Sequence, residues 1–370
     1  MAVTSSVVSD RERELAVLRG ALEEAAAGAP AAVCVEGAVG TGKSAVLGET
    51  ARTARELGFE VFRVQCSGTA SRLRFGLLDE AIGGAADRRL HRLVHEVSAG
   101  SPVLVAVDDV ERADEPSLRF LLHLRGRLGR LPVAFVVTRG LAAAGGPLLR
   151  AVIGDARPVR LTGLDRPACA RFLCAVLGRE VTGEVVTEWR EATGGNPYLL
   201  RLRARDLGER AGELVARLAL AGPRVLALAR ASAVLGEADP ALAGAVAGLT
   251  PHEAVEASRT LTGMGFAGVP MVFSTLAQST TASERAAVHA RAARFRHDER
   301  APAEEVAAHV LEAAPIGEEW VREVLLTCAR QSTSDRAVVL LRRLLREPLP
   351  DAVRGEVLVE LAERRSSTRR

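Results

Sequence analysis

The sequence predicts an α/β domain with a parallel sheet and helices on both faces, followed by an all-helical remainder. Three observations lead there. Five short apolar, β-prone runs (Ala31 to Glu36, Glu60 to Gln65, Val103 to Val107, Val133 to Val137 and Val159 to Leu161) are separated by amphipathic helical stretches. The runs are continuous rather than alternating, as expected of parallel strands buried on both faces. From Arg166 onward strand signals nearly vanish, leaving Ala-, Leu-, Arg- and Glu-rich helices punctuated by Gly194-Gly195-Asn196-Pro197, Gly222-Pro223, Asp239-Pro240 and Thr250-Pro251.

At 370 residues the chain exceeds what one hydrophobic core usually supports, so several domains are expected. Hydrophobic residues make up 48% but aromatics only 3%, so the interior must be built from Ala, Val and Leu. A net charge of +3, spread along the chain, is no electrostatic footprint for nucleic acid. The basic tail Arg364 to Arg370 reads as a solvated terminus. Five scattered cysteines without a CxxC pair argue against a disulfide framework or a zinc site and fit a reducing cytosol. No window approaches the ~18 apolar residues of a membrane span, so the expected location is cytoplasmic.

The first β-prone run ends in Gly37-Ala38-Val39-Gly40-Thr41-Gly42-Lys43-Ser44, which satisfies GxxxxGK[ST] and leads into a helix over Lys43 to Leu57. Glycines at these positions let backbone N–H groups point at a β-phosphate, and the helix N-terminus adds its partial positive charge. Lys43 is expected to bridge the β- and γ-phosphates and the Ser44 hydroxyl to ligate Mg²⁺. Of the 49 basic side chains 48 are arginine, and the one lysine is Lys43. A forked guanidinium is too wide for that loop, so the exception marks a chemical requirement. The nucleotide this implies is ATP with Mg²⁺.

Val103 to Val107 ends on Asp108-Asp109. Asp108 is placed to hold Mg²⁺ through water, and Asp109 either polarises the attacking water or caps the next turn. Val133 to Val137 ends on Thr138-Arg139 at the carboxyl edge, where ligands of such sheets collect, and Arg139 is a candidate γ-phosphate sensor.

In the helical half, Val255 to Val272 reads as a helix followed by a Gly-containing hairpin, as in a winged-helix unit. Pro302 to Arg365 holds about four amphipathic helices without a clean internal period. The expected organisation is a P-loop ATPase core over 1–163, a helical lid over 164–220, a winged-helix-like domain over 221–300 and the start of a helical-repeat region over 301–370.

Together these residues resemble the N-terminal ATPase region of the large LuxR-type transcriptional regulators common in actinomycetes, which belong to the signal-transduction ATPases with numerous domains. The opening Asp10-Arg11-Glu12-Arg13-Glu14-Leu15 is similar to the family's Gly-Arg-Glu-x-Glu-Leu segment beside the adenine, with Asp for Gly, and implies that Arg11 lies at the base. Asp108-Asp109-Val-Glu-Arg112-Ala-Asp114-Glu-Pro-Ser117 follows the family's acidic strand except at Arg112, and Thr138-Arg139 resembles its sensor. Gly195-Asn196-Pro197 resembles the lid turn whose proline packs on adenine, which implies that role for Pro197. Ser283 to His289 and Ala307 to His309 look like family landmarks, with His289 and His309 as packing residues between helices. Val269 stands where related switches place a histidine on the ADP phosphates, and valine offers no donor.

Family members continue to a C-terminal helix-turn-helix that does not follow here, so direct DNA binding is not expected. The resemblance implies a slowly hydrolysing switch that answers ATP and ADP differently, working through a protein partner or self-association, either as a stand-alone module or as a truncated regulator. The alternatives are a non-hydrolysing nucleotide-binding scaffold or relic and, behind these, a P-loop kinase, for which the helical half offers no polar acceptor cluster.

Overall fold

The computed structural model describes residues 10–66, 100–128, 131–141, 145–236 and 239–367. The helical stretch expected between the second and third strands falls on 67–99, outside the described residues, as do Arg369 and Arg370 of the tail. The chain divides into two compact units, Met1–Asp206 with Thr260–Met271, and Leu207–Arg259 with Val272–Arg370.

The first unit begins with α1 (Glu12–Ala26), β1 (Ala31–Gly37), α2 (Lys43–Glu56), β2 (Glu60–Gln65) and β3 (Val103–Asp108). It continues with α3 (Glu115–Leu128), β4 (Val133–Gly140), α4 (Pro147–Ile153) and β5 (Arg157–Leu161), then α5 (Arg166–Leu177), α6 (Gly183–Thr193) and α7 (Pro197–Arg203). All five expected strands form. They make one sheet in the order β2-β3-β4-β1-β5 with every pairing parallel.

Alternation along the strands divides the core into two layers. Val33 and Val35 of β1, Leu104 and Ala106 of β3, and Ala134 and Val136 of β4 pack with Leu18, Leu22, Val46 and Leu47 of α1 and α2. Cys34, Val105, Val107, Phe135 and Val137 pack on the other face with Leu121, Leu124, Leu149 and Val152 of α3 and α4. Both faces of the three central strands are buried, which is why β1, β3 and β4 read as unbroken apolar runs, whereas the edge strands β2 and β5 are partly exposed. Burial raises the Cys34 and Cys66 thiols to about 12, so they behave as small core hydrophobes rather than nucleophiles.

The remaining helices are α8 (Leu207–Ala221), α9 (Pro223–Leu235), α10 (Pro240–Val246), α11 (Pro251–Met264), α12 (Pro270–Ser279), α13 (Ala282–Asp298), α14 (Ala303–Glu312), α15 (Glu319–Gln331), α16 (Ser334–Leu344) and α17 (Asp351–Ser367). The hairpin expected near Val272 is not formed. Among the described residues no strand follows Leu161, and Gly265 to Val269 is a turn between α11 and α12. Pro270 starts α12, and its buried Met271, Val272, Thr275 and Leu276 recur at helical spacing, which overrides the β-prone residues of this stretch.

Helices α14 to α17 cover the expected 302–365 stretch and share a core of Val306, Val310, Val321, Leu325, Leu340, Leu341 and Leu344. A fully buried ion pair braces it. Arg343 Nη1 donates to Glu347 Oε1 at 2.7 Å, each side chain being 4% exposed. The rest of the guanidinium donates to the carbonyls of Val310, Ala313 and Ala314. The carboxylate accepts the Ile316 and Gly317 amides.

The His289 and His309 rings of α13 and α14 meet with Nδ1 atoms 3.2 Å apart, the packing role expected of them. Burial holds half-buried His289 below its ordinary pKa, against an opposite pull from Glu312. Its stabilising effect is therefore complete above the unfolded value of 6.5 and declines as pH falls below it. The urea midpoint of the helical unit is expected to fall between pH 7.5 and 5.5, and His289→Gln to flatten that dependence.

Candidate nucleotide-binding site

The P-loop leaves β1 at Gly37 and enters α2 at Lys43. Gly42, the N-cap, takes a left-handed conformation (φ 100°) and supplies no capping side chain. The amides opening α2 therefore lack intrahelical acceptors and face the carboxyl edge of the sheet, an arrangement suited to an anion. Lys43 is 8% exposed, and its Nζ donates to the carbonyls of Gly37 and Ala38, both at 3.1 Å, so the ammonium lies along the loop. Ser44 follows it at the exposed end.

The Asp108 side chain at the end of β3 is completely buried. Oδ1 accepts from Thr138 Oγ1 at 2.6 Å, and the same hydroxyl oxygen accepts the Asp109 amide at 2.8 Å. Thr138 thus joins the acidic strand end to β4. Asp109 adopts φ 53°, ψ 49°, a left-handed conformation uncommon outside glycine and more accessible to aspartate than to most residues. Asp114 caps α3, its Oδ1 accepting the Ser117 amide at 2.9 Å. Glu111 accepts the Gly140 amide at 2.8 Å, and burial raises its carboxyl above the usual range.

Asp108 Oδ2 is buried and accepts no hydrogen bond among the described residues, and Arg63 Nη2 stands 4.0 Å from it. A buried carboxylate oxygen without a donor is expensive unless a cation completes its shell. With Ser44 and the α2 amides beside it, this donor set fits Mg²⁺ and a triphosphate.

Arg139 lies elsewhere. Its Nε donates to Glu36 Oε1 at 2.9 Å, with Nη2 2.8 Å from the same oxygen. Register explains the difference. Val35 faces Thr138 and Glu36 faces Arg139 across β1 and β4, and successive side chains leave opposite faces of the sheet. It is Thr138 that reaches Asp108.

Arg11, 4% exposed, donates from Nη2 to the carbonyls of Thr41 at 3.3 Å and Thr162 at 2.5 Å, and from Nη1 to Glu14 at 3.1 Å. It braces the back of the P-loop. Pro197 is buried at the first position of α7. Beside it Asn196 caps α7 with Oδ1 and donates from Nδ2 to Val39 O at 2.8 Å, and the Tyr198 amide donates to Gly40 O at 3.3 Å. The lid turn is therefore bonded directly to the P-loop. On the loop's other flank the Val39 amide donates to Met264 O at 3.2 Å, and the Phe266 ring stacks with Tyr198 at 6.4 Å. Asn196 and Met264 carry contacts that sequence reasoning did not assign.

Gly40 is required twice over. Its φ is +81°, and a Cβ there would lie 2.3 Å from Tyr198 Cβ. Gly40→Ala is expected to cost about 1–3 kcal/mol of local strain, read as a lower melting temperature, and to loosen the lid turn from the loop.

Residues 9–137 match the family model of the AAA ATPase domain. The match ends one residue before Thr138, and Asn196, Tyr198 and Met264 also lie beyond it. No curated protein matches the chain. Among solved structures, Cdc6p from Pyrobaculum aerophilum is similar at 13% identity over 69% of this chain and 80% of that one, with TM-score 0.43. The Aeropyrum pernix Orc1 protein, solved in complex with DNA, is similar at 18% identity over 61% and 70%, with TM-score 0.41. Domain III of the Thermotoga maritima replication initiation protein DnaA is similar at 17% identity over 50% and 78%, with TM-score 0.35.

Proposed function

We propose that the chain is an ATP-binding, slowly hydrolysing regulatory switch of the LuxR-type signal-transduction class, acting through a protein partner or self-association. The observation that carries the nucleotide reading is the juxtaposition, through Arg63, of the Lys43-Ser44 end of the loop with the buried Asp108 Oδ2, which accepts no hydrogen bond among the described residues. The α2 amides and Lys43 would hold the β- and γ-phosphates, and Ser44 Oγ with Asp108 would hold Mg²⁺, which when bound would neutralise charge on the phosphates. Asp109 takes the proton of the attacking water, with its backbone aimed by Thr138. Arg139, occupied by Glu36, is left to structure in this reading.

The switch rests on the two flanks of the P-loop. A loop whose Val39 and Gly40 carbonyls hold the lid turn, and whose Val39 amide holds Met264, cannot shift to suit a different phosphate chain without disturbing both. Nucleotide identity then changes how these segments sit and so the surface offered to a partner. A non-hydrolysing scaffold would have the same binding parts and no turnover.

The deciding experiment measures Mg²⁺-dependent ATP hydrolysis, ATP and ADP affinity, and oligomer size with each nucleotide. Slow turnover with different ATP and ADP assemblies is expected; identical assemblies would remove the switch, and absence of turnover with intact binding would leave the scaffold. Thr138→Val is expected to keep ATP affinity within about threefold and lower turnover at least ~tenfold, as for loss of one positioned donor, with Thr138→Ser restoring it.

A further inference from the structure

Arg63 lies in the middle of β2, opposite Ala106 of β3, and so shares a sheet face with Asp108 two residues further on. Its guanidinium reaches the carboxyl edge, where Nη2 is 3.4 Å from Ser44 O and 4.0 Å from Asp108 Oδ2. One cationic group therefore lies between the Ser44 carbonyl and the Asp108 carboxylate, and Asp108 Oδ2 has no hydrogen bond among the described residues to compete with it. Its side chain is 41% exposed, so the group is reachable from solvent and its removal leaves no cavity.

We propose that Arg63 is a built-in counter-charge of the metal site, which lowers the dependence of nucleotide binding on Mg²⁺. The inference rests on the nucleotide-binding reading above. Without a metal, a triphosphate entering the loop meets the bare carboxylate of Asp108, and like charges at this separation repel strongly in a partly desolvated site. Arg63 offsets that repulsion. With the metal present the sign reverses, because a guanidinium within about 4 Å of Asp108 Oδ2 competes with the divalent cation for the same oxygen. Removing Arg63 should therefore weaken metal-free binding and leave or strengthen binding with the metal. A residue that merely filled space would change both alike.

The test is ATP affinity of the full chain by calorimetry, in excess EDTA and in excess Mg²⁺, for wild type, Arg63→Gln and Arg63→Lys, with melting temperatures alongside. The ratio of the two affinities is expected to rise about tenfold or more in Arg63→Gln, and to stay within about threefold of wild type in Arg63→Lys, which keeps the charge. Wild-type binding with an unchanged ratio in Arg63→Gln would overturn this inference alone. Failure of the wild-type chain to bind ATP under either condition would overturn the nucleotide-binding reading and this inference with it.

Discussion

Lys43→Ala is expected to weaken ATP binding by about a hundredfold or more, because truncating one partner of a desolvated charge pair typically costs 2–5 kcal/mol. The ammonium is 8% exposed and laid along the loop by the Gly37 and Ala38 carbonyls, so it meets a phosphate chain already oriented. Lys43→Arg should fail nearly as badly. The guanidinium carries the charge but cannot enter between those carbonyls, and a chain with 48 arginines elsewhere has kept its single lysine here. Equilibrium binding of a fluorescent ATP analogue to the three proteins checks both statements. Near-wild-type affinity in Lys43→Ala would refute the site.

The second large effect lies far from the Gly37 to Ser44 loop in sequence and concerns stability. Glu347→Ala should destabilise the helical unit by about 3–5 kcal/mol, the usual cost of stranding one member of a buried ion pair. Arg343 would remain 4% exposed without its carboxylate, and the Ile316 and Gly317 amides would lose their shared acceptor. The double replacement Arg343→Met with Glu347→Leu should recover much of the loss, since two apolar side chains leave no buried charge unpaired, although the carbonyls and amides served by the pair still lose partners. Urea denaturation followed by circular dichroism separates these outcomes. Equal losses in the single and double variants would show that the hydrogen bonds to Val310, Ala313, Ala314, Ile316 and Gly317 outweigh the charge pair.

Much of the candidate nucleotide site is legible in the sequence because its determinants are local. The glycines, Lys43 and Ser44 are consecutive, and a strand running into them leaves few backbone solutions. Asp108 is legible for the same reason, as the first polar residue after five apolar ones. Thr138 and Arg139 show where locality fails. Both end β4, and an arginine looks the better phosphate sensor. Parity along the strand and the register with β1 turn Thr138 toward Asp108 and Arg139 toward Glu36.

Arg63 was illegible for a related reason. A charged residue inside a β-prone run reads as an exposed position, and only pairing with β3 brings it beside Ser44 and Asp108. The turn at Gly265 failed differently. Its glycines and valines suit a hairpin, but the apolar residues after Pro270 bury best at helical spacing, and packing outweighs a β-propensity difference of about 1 kcal/mol.

By itself, then, the sequence determined the parallel sheet, its five strands and the Gly37 to Ser44 loop that leads into α2, because hydrophobic runs and backbone-permissive glycines act over a few residues. The tertiary structure alone decided which strand-end side chain meets Asp108, that Asn196 and Met264 hold the two flanks of the P-loop, and that Arg63 stands beside Ser44 and Asp108. Those contacts join residues about 20 to 225 positions apart, and they depend on strand register and turn geometry, which become definite only once the sheet and its helices have packed.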